Sequence, residues 1–130
     1  MKTPDKATER RKLIVVFNKF IRLRDQYKNC ISCGIRPVQH AGHFWPTSQY
    51  PQPSMRFNED NVHGQCIFCN TFCEGNRQGY REGLLNRYGE LVFSKLDIIR
   101  SMKQTTWTVF EFQAMIKFYQ KKCKELEKKQ

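Results

Sequence analysis

Two cysteine pairs with the same short spacing are the part of this sequence that most directly indicates chemistry. Cys30 and Cys33 form one Cys-x-x-Cys pair, and Cys66 and Cys69 form the other. Zinc binds four thiolates in a tetrahedron, and a two-residue spacer lets one tight turn aim two sulfurs at the same ion. The sequence therefore predicts one structural Zn²⁺ site built from both pairs.

Disulfides or a redox-active pair are the alternatives to zinc. Disulfides need an oxidising compartment, and the opening residues MKTPDKATERRK contain no apolar run typical of a signal peptide. No stretch is long and apolar enough to span a membrane. We therefore expect a cytoplasmic, zinc-holding protein with no membrane partner. Cys73 and Cys123 lie outside the pattern; we expect Cys123 to pack on a helix face and Cys73 to be a spare thiol.

Three residues between or beside the cysteine pairs form a candidate reactive centre. The imidazole of His43 has an unperturbed pKa near neutral pH, so it can accept a proton from water. Asn61 could fix the orientation of the imidazole, and Asn70 could offer an amide oxygen to a divalent Mg²⁺ or Mn²⁺. Either asparagine could equally be a turn or cap residue. A reactive centre is favoured only because all three residues lie between or directly beside the two cysteine pairs.

The charge of the chain predicts a polyanionic partner. Its 130 residues carry a formal net charge of +11, which is large for this size and favours nucleic acid over an anionic membrane. Residues 1–28 hold nine Lys or Arg against three Asp or Glu, and residues 121–130 hold five against two. The excess therefore lies near both ends, where solvated helix faces are the other explanation.

The length suits a single domain, 1–130, with three parts. Residues 1–28 are predicted to form a basic amphipathic helix whose apolar face holds Leu13, Phe17, Phe20 and Ile21, continued by Val16, Leu23 and Tyr27.

Residues 29–76, rich in Gly and Pro, are predicted to form the zinc and reactive core. We expect only short strands there: a hairpin around 36–44, a strand near 61–65, and a helix that begins at the Cys66 pair.

Residues 77–130 are predicted to be helical, with one helix ended by Gly89, a second over 90–99 and a third behind a Thr108–Glu111 capping box. The first carries Tyr80, Leu84, Leu85 and Tyr88. The apolar stripe of the third is predicted to be core, and comprises Phe112, Met115, Ile116, Tyr119, Cys123 and Leu126.

This order of elements resembles a treble-clef zinc fold, and within it the HNH, or ββα-metal (His-Me finger), nucleases. His43, Asn61 and Asn70 carry that resemblance. It implies a small α+β fold whose zinc-stapled, HNH-like core is flanked by N- and C-terminal helices. It also implies that His43 is the general base, that Asn61 orients it, and that Asn70 binds the catalytic divalent ion.

A longer resemblance, from about residue 17 to 125, is to the phage NinG, or Rap, recombination-protein family. It is carried by AGHF (41–44), RFNEDNVHGQCIFCN (56–70), GN (75–76), YREGLLNRYGE (80–90) and WT (107–108). This resemblance implies a metal-dependent endonuclease that cuts branched DNA such as Holliday junctions, in the host cytoplasm, as a phage or prophage protein. Symmetric cutting needs two active sites, so we expect a homodimer.

Gly42 departs from the nuclease pattern, because many HNH enzymes carry an Asp metal ligand immediately before the catalytic histidine. His40 is the nearest replacement. His63, Glu59 and Asp60 are others. Taken alone, a histidine such as His40 or His63 is more often a hydrogen-bonded structural residue than a metal ligand.

Four arginines around the motif are candidate DNA-backbone contacts: Arg56, Arg77, Arg81 and Arg87. Each could instead be a surface residue. The alternative to a nuclease is a non-catalytic zinc protein that binds branched or single-stranded DNA. An adaptor for other recombination proteins is a third class.

Overall fold

Helices at both ends of the chain enclose a short two-stranded sheet in the computed structural model, which describes residues 3–103 and 105–130. The result is a small α+β fold. Among the described residues, no helix is long and apolar enough to cross a bilayer. In chain order the elements are α1 (Lys6–Asp25), β1 (His40–His43), α2 (Pro53–Arg56), β2 (Val62–Gln65), a π-helical turn (Phe68–Phe72), α3 (Arg77–Tyr88), α4 (Leu91–Ser101) and α5 (Val109–Lys128).

Helices α1 and α5 pack along each other and form the first core. The Asp5 side chain caps α1 by accepting a hydrogen bond from the backbone N–H of Thr8. The predicted capping box begins α5. The apolar faces of both helices are confirmed as core, except that Tyr27 lies beyond the end of α1 and is 82% exposed. The buried members of this core are Leu13, Phe17, Phe20, Ile21, Phe57, Val62, Phe112, Ile116, Tyr119 and Cys123.

The sheet differs from the predicted hairpin. Strand β1 pairs antiparallel with β2, with His40 opposite Gln65 and His43 opposite Val62. The prediction of a strand near 61–65 is confirmed, and the prediction of a hairpin within 36–44 is wrong. The carbonyl of Arg36 accepts from Cys30 N–H, and Pro37 has no N–H to offer. The segment before β1 therefore cannot supply a second strand.

A buried ion pair ties the end of α1 to β2. Arg24 donates to both carboxylate oxygens of Asp25 at 2.8 Å, and Asp25 accepts from the N–H of Gly64 at 2.8 Å. Burial alone would raise the pKa of Asp25, but the Arg24 guanidinium and the Gly64 N–H hold it below its usual value. Arg24 also donates to the carbonyl of Val62, so α1 holds β2 through side chain and backbone.

Helices α3 and α4 cover the second core on the other side of the sheet. Gly89 ends α3 at φ +81°, as its position predicted, and α4 follows at once. The predicted helix at the Cys66 pair is only a five-residue π-helical turn. Positive φ angles at residues 74–76 interrupt the chain before α3 can begin. This second core contains Ile31, Phe44, Met55, Tyr80, Leu84, Val92 and Leu96.

Candidate metal centre and reactive site

The four cysteines of the two pairs converge on one point. The sulfurs of Cys30, Cys33, Cys66 and Cys69 all lie within 4.8 Å of one another. Three of these side chains are buried, and Cys33 is partly exposed. Such a cluster suits a tetrahedral metal ion such as zinc, as the spacing predicted.

The protein around the cluster affects the individual thiols differently. Although burial opposes ionisation, the backbone N–H groups of Arg36 and Ile35 lower the pKa of Cys33 to about 6. Burial raises the pKa of Cys69 to about 12. Four adjacent thiols cannot all ionise without a compensating cation, and a divalent ion supplies it. Outside the cluster, Cys123 is buried in the first core as predicted, and Cys73 is exposed.

The His43 ring is held in one tautomer by α2. Its Nε2 lies 3.0 Å from the carbonyl oxygen of Arg56. Because a carbonyl oxygen only accepts hydrogen bonds, Nε2 carries the proton and Nδ1 keeps the lone pair. Burial lowers the pKa of His43 to about 4, so the ring is neutral at physiological pH. The structure thus presents Nδ1 as a proton acceptor.

Asn61 orients this part of the chain through backbone contacts. It is fully buried; its Oδ1 accepts from Trp45 N–H at 2.8 Å, and its Nδ2 donates to the carbonyls of Trp45 and Met55. Trp45 lies two residues after His43 in the sequence, and Met55 lies directly before Arg56, whose carbonyl contacts the imidazole. Asn61 therefore fixes the two segments that hold the imidazole.

A second group of polar side chains surrounds Gly42. The Asn70 amide Nδ2 lies 3.1 Å from Nδ1 of His40. Gln65, which the sequence analysis did not select, is fully buried; its Nε2 donates to Ser32 Oγ and Gly75 O, both at 2.7 Å. Its Oε1 has no hydrogen-bond partner among the described residues. The available signal was its place in the 56–70 motif, directly before Cys66.

His63 and the two acidic candidates have structural partners. Tyr80 donates to the carbonyl of Gly42 at 2.7 Å, and Nδ1 of His63 lies 3.1 Å from the same hydroxyl. Burial lowers the pKa of His63 to about 3. Glu59 accepts from the hydroxyl of Tyr119, and Asp60 forms an ion pair with Lys95. These residues support the fold around the site, and none of these contacts involves His40 or Asn70.

Three of the four candidate arginines also have internal contacts. Arg87 donates to the carbonyls of residues 28–30 and so caps the first cysteine turn. Arg77 donates to the carbonyl of Phe44, and Arg81 lies over the ring of Phe93. Arg56 has no ion pair or side-chain hydrogen bond in the contacts of the described residues.

Removal of the metal should unfold the centre of the protein. Cys66→Ser should reduce bound zinc to below one ion per chain and lower the melting temperature, because a metal ion held by all four thiolates would link residues 30–33 to residues 66–69. Zinc content by atomic absorption and thermal unfolding by circular dichroism measure both effects. Cys73→Ser, which changes an exposed thiol outside the cluster, should leave both unchanged; equal loss in the two variants would contradict the assignment.

Two of the three histidines should titrate far below the normal value of 6.5. An NMR pH titration of zinc-loaded protein, with His63→Phe used to assign the signals, should place His43 and His63 near 4 and 3. Unfolded histidines bind protons near 6.5, so the native state should lose stability as pH falls from about 6.5 toward 4. A pKa above 6 for either ring would show that it is not buried as described.

Comparison with known proteins places the chain in a family. Residues 5–129 match the family described as Bacteriophage Lambda NinG protein. Proteins named ninG from Escherichia phage 933W, Escherichia phage lambda and Salmonella phage P22 are 40%, 39% and 41% identical to it over 84% of its length.

The chain spans about half the length of these curated relatives, 52–53%. No solved structure matches it. The match over almost all of the chain, carried through both cysteine pairs and the residues around His43, shows that this protein belongs to the NinG family.

Proposed function

We propose that this protein is a metal-dependent endonuclease that cuts branched DNA, with a treble-clef, HNH-like centre. The observation that carries the proposal is the neutral His43 ring, whose Nε2–H is bound to the Arg56 carbonyl and whose Nδ1 keeps its lone pair. The cysteine cluster is the structural zinc site of this proposal. Two-sided cutting of a junction needs two such sites, so we propose a homodimer acting in the host cytoplasm.

His43 acts as the general base in this mechanism. Nδ1 accepts a proton from the attacking water, and the resulting positive charge lies on a ring that the Arg56 carbonyl already contacts. The burial that keeps the ring neutral also makes it a weak base. Its contribution therefore depends on correct placement, which α2 and Asn61 provide.

A divalent Mg²⁺ or Mn²⁺ is implied by the nuclease resemblance. When bound, it would stabilise charge on the phosphorane and on the leaving oxygen. Asn70 fits this ion because its Oδ1 faces the space beside Gly42. The hydrogen bond between Asn70 Nδ2 and His40 Nδ1 uses the lone pair of that imidazole nitrogen, so His40 orients the amide. His63, bonded to Tyr80, supports the fold.

Arg56 is the candidate cation nearest the base. Burial and the neighbouring Arg10 lower the pKa of its guanidinium, so the two positive charges are close to each other. Neither has an ion pair among the described residues. Arg10 and Lys6 also line a cleft together with Trp107 and residues 51–53, just before and within α2. We propose that a DNA backbone phosphate binds between Arg10 and Arg56.

His43→Ala should abolish cutting without abolishing binding. We expect a loss of roughly 10²–10⁴-fold in the rate of cleavage of a labelled four-way junction with Mg²⁺ or Mn²⁺, because the proton acceptor is gone. Added imidazole should restore part of the rate, and omission of Mg²⁺ and Mn²⁺ should stop the reaction in both zinc-loaded proteins. Tight binding of the junction with no cutting by the unaltered protein under any ion would leave a DNA-binding zinc protein instead.

Arg56→Ala and Arg10→Ala should each weaken DNA binding and make it less sensitive to salt. Fluorescence anisotropy of zinc-loaded protein without added Mg²⁺ or Mn²⁺, in the His43→Ala background, separates binding from cleavage. Each variant should reduce the slope of log affinity against log salt by about one, as loss of one phosphate contact requires. Arg22→Ala, which removes an exposed charge from the other end of α1, is the matched control. An equal effect of Arg22→Ala would indicate attraction by net charge alone.

A further inference from the structure

The space beside Gly42 is filled by another residue's amide. A Cβ atom on residue 42 would lie 1.7 Å from Oε1 of Gln65 and 3.1 Å from Oδ1 of Asn70. These two oxygens therefore surround the point at which a side chain on residue 42 would begin. An acidic residue at position 42 and the present Gln65 conformation exclude each other.

The orientation of the Gln65 amide is fixed by its other end. Its nitrogen lies 2.7 Å from the carbonyl oxygen of Gly75, which can only accept, so the nitrogen and oxygen cannot be exchanged. Its second hydrogen bond goes to the hydroxyl of Ser32, beside the first cysteine pair. Residues of the zinc centre thus hold Oε1 toward Gly42 and Asn70.

Oε1 is left in an electrostatically unfavourable position. It is buried and has no donor among the described residues, although a buried, unpartnered carbonyl costs about 1–3 kcal/mol. Its neighbour across the same point, Asn70 Oδ1, is also an acceptor, while the Asn70 nitrogen points to His40. Two acceptor oxygens close to the same point, with no donor to Oε1 among the described residues, suit a cation bound beside them.

We propose that Gln65 is an oxygen ligand of the divalent cation and, with Asn70, takes the place of the acidic residue missing at position 42. The inference rests on the proposed function for the role of the ion, but the ion site stands on its own geometry. Amide oxygens are accepted ligands of Mg²⁺ and Mn²⁺. Because both ligands are neutral, the ion binds weakly to the free protein and more tightly when DNA phosphates supply negative charge.

Mn²⁺ binding to zinc-loaded protein tests the site directly, with free Mn²⁺ measured by electron paramagnetic resonance. Gln65→Ala should weaken Mn²⁺ binding by at least about tenfold, as loss of a ligand requires. Gln78→Ala changes an exposed glutamine on α3 and should have no effect on Mn²⁺ affinity.

The decisive variant exchanges the two positions. Gly42 does not have a positive φ, so its backbone accepts an aspartate once Gln65 is shortened. The double variant Gly42→Asp with Gln65→Ala should bind Mn²⁺ at least as tightly as the unaltered protein. Gly42→Asp alone should be destabilised by the clash with Oε1. One zinc per chain and an unchanged circular dichroism spectrum would show that the double variant is folded. Its Mn²⁺ affinity then tests the site even if Gln65→Ala alone fails to fold.

The outcomes separate this inference from the proposed function. Unchanged Mn²⁺ affinity in folded Gln65→Ala, or no recovery in the folded double variant, would overturn the role of Gln65 even if the protein cuts DNA. Gln65-dependent Mn²⁺ binding in a protein that cuts no junction would establish the ion site and overturn the nuclease proposal.

Discussion

The four-cysteine cluster is the constraint on which the centre of the protein depends. It joins two turns that lie more than thirty residues apart in the chain, and both turns contact the elements around them. Ile31 N–H donates to the carbonyl of Gly64 in β2. Helix α3 approaches the first turn so closely that a Cβ on Gly83 would lie 1.9 Å from the Ile31 carbonyl oxygen. A metal bound by the cluster would hold the neighbours of this four-residue strand in place.

Two groups of polar residues lie on opposite faces of the two-stranded sheet. Successive side chains of a strand point to opposite faces, so His43 and the position of Gly42 look to opposite sides of β1. On one side α2 fixes the imidazole tautomer. On the other, Gln65 and Asn70 turn their oxygens toward the backbone of Gly42. The proposed base and the proposed ion site are thus neighbours in sequence, each supported by its own hydrogen bonds.

Some basic residues are occupied by contacts within the protein, and others are available to bind an anion. Arg24 is occupied with Asp25 and the backbone of β2, and Arg87 with the carbonyls of the first cysteine turn. Basic residues near the motif are therefore poor guides to DNA contact when read from sequence alone. Arg56 differs because burial and another arginine, Arg10, lower the pKa of its guanidinium. An anion would stabilise this pair of positive charges.

The sequence by itself determined the cysteine cluster, the terminal helices and the start and end signals of α5 and α3. These follow from features that are local in the sequence. The two-residue spacers bring the cysteines of each pair together, and helical apolar periodicity predicts the terminal helices. The Thr108–Glu111 capping box begins α5, and Gly89, which has a positive φ, ends α3. It also identified His43, Asn61 and Asn70 as a candidate reactive centre.

Only the tertiary structure decided how the strands pair and which side chains meet. Eighteen residues, including α2, separate the end of β1 from the start of β2. No local turn signal could therefore indicate that these two strands pair. The significance of Gln65 was likewise hidden, because it arises from a backbone position with no side chain and from an oxygen that lacks a donor. Contacts between distant segments, such as that of the Gln65 amide with the backbone at Gly42, are properties that spacing along the chain does not encode.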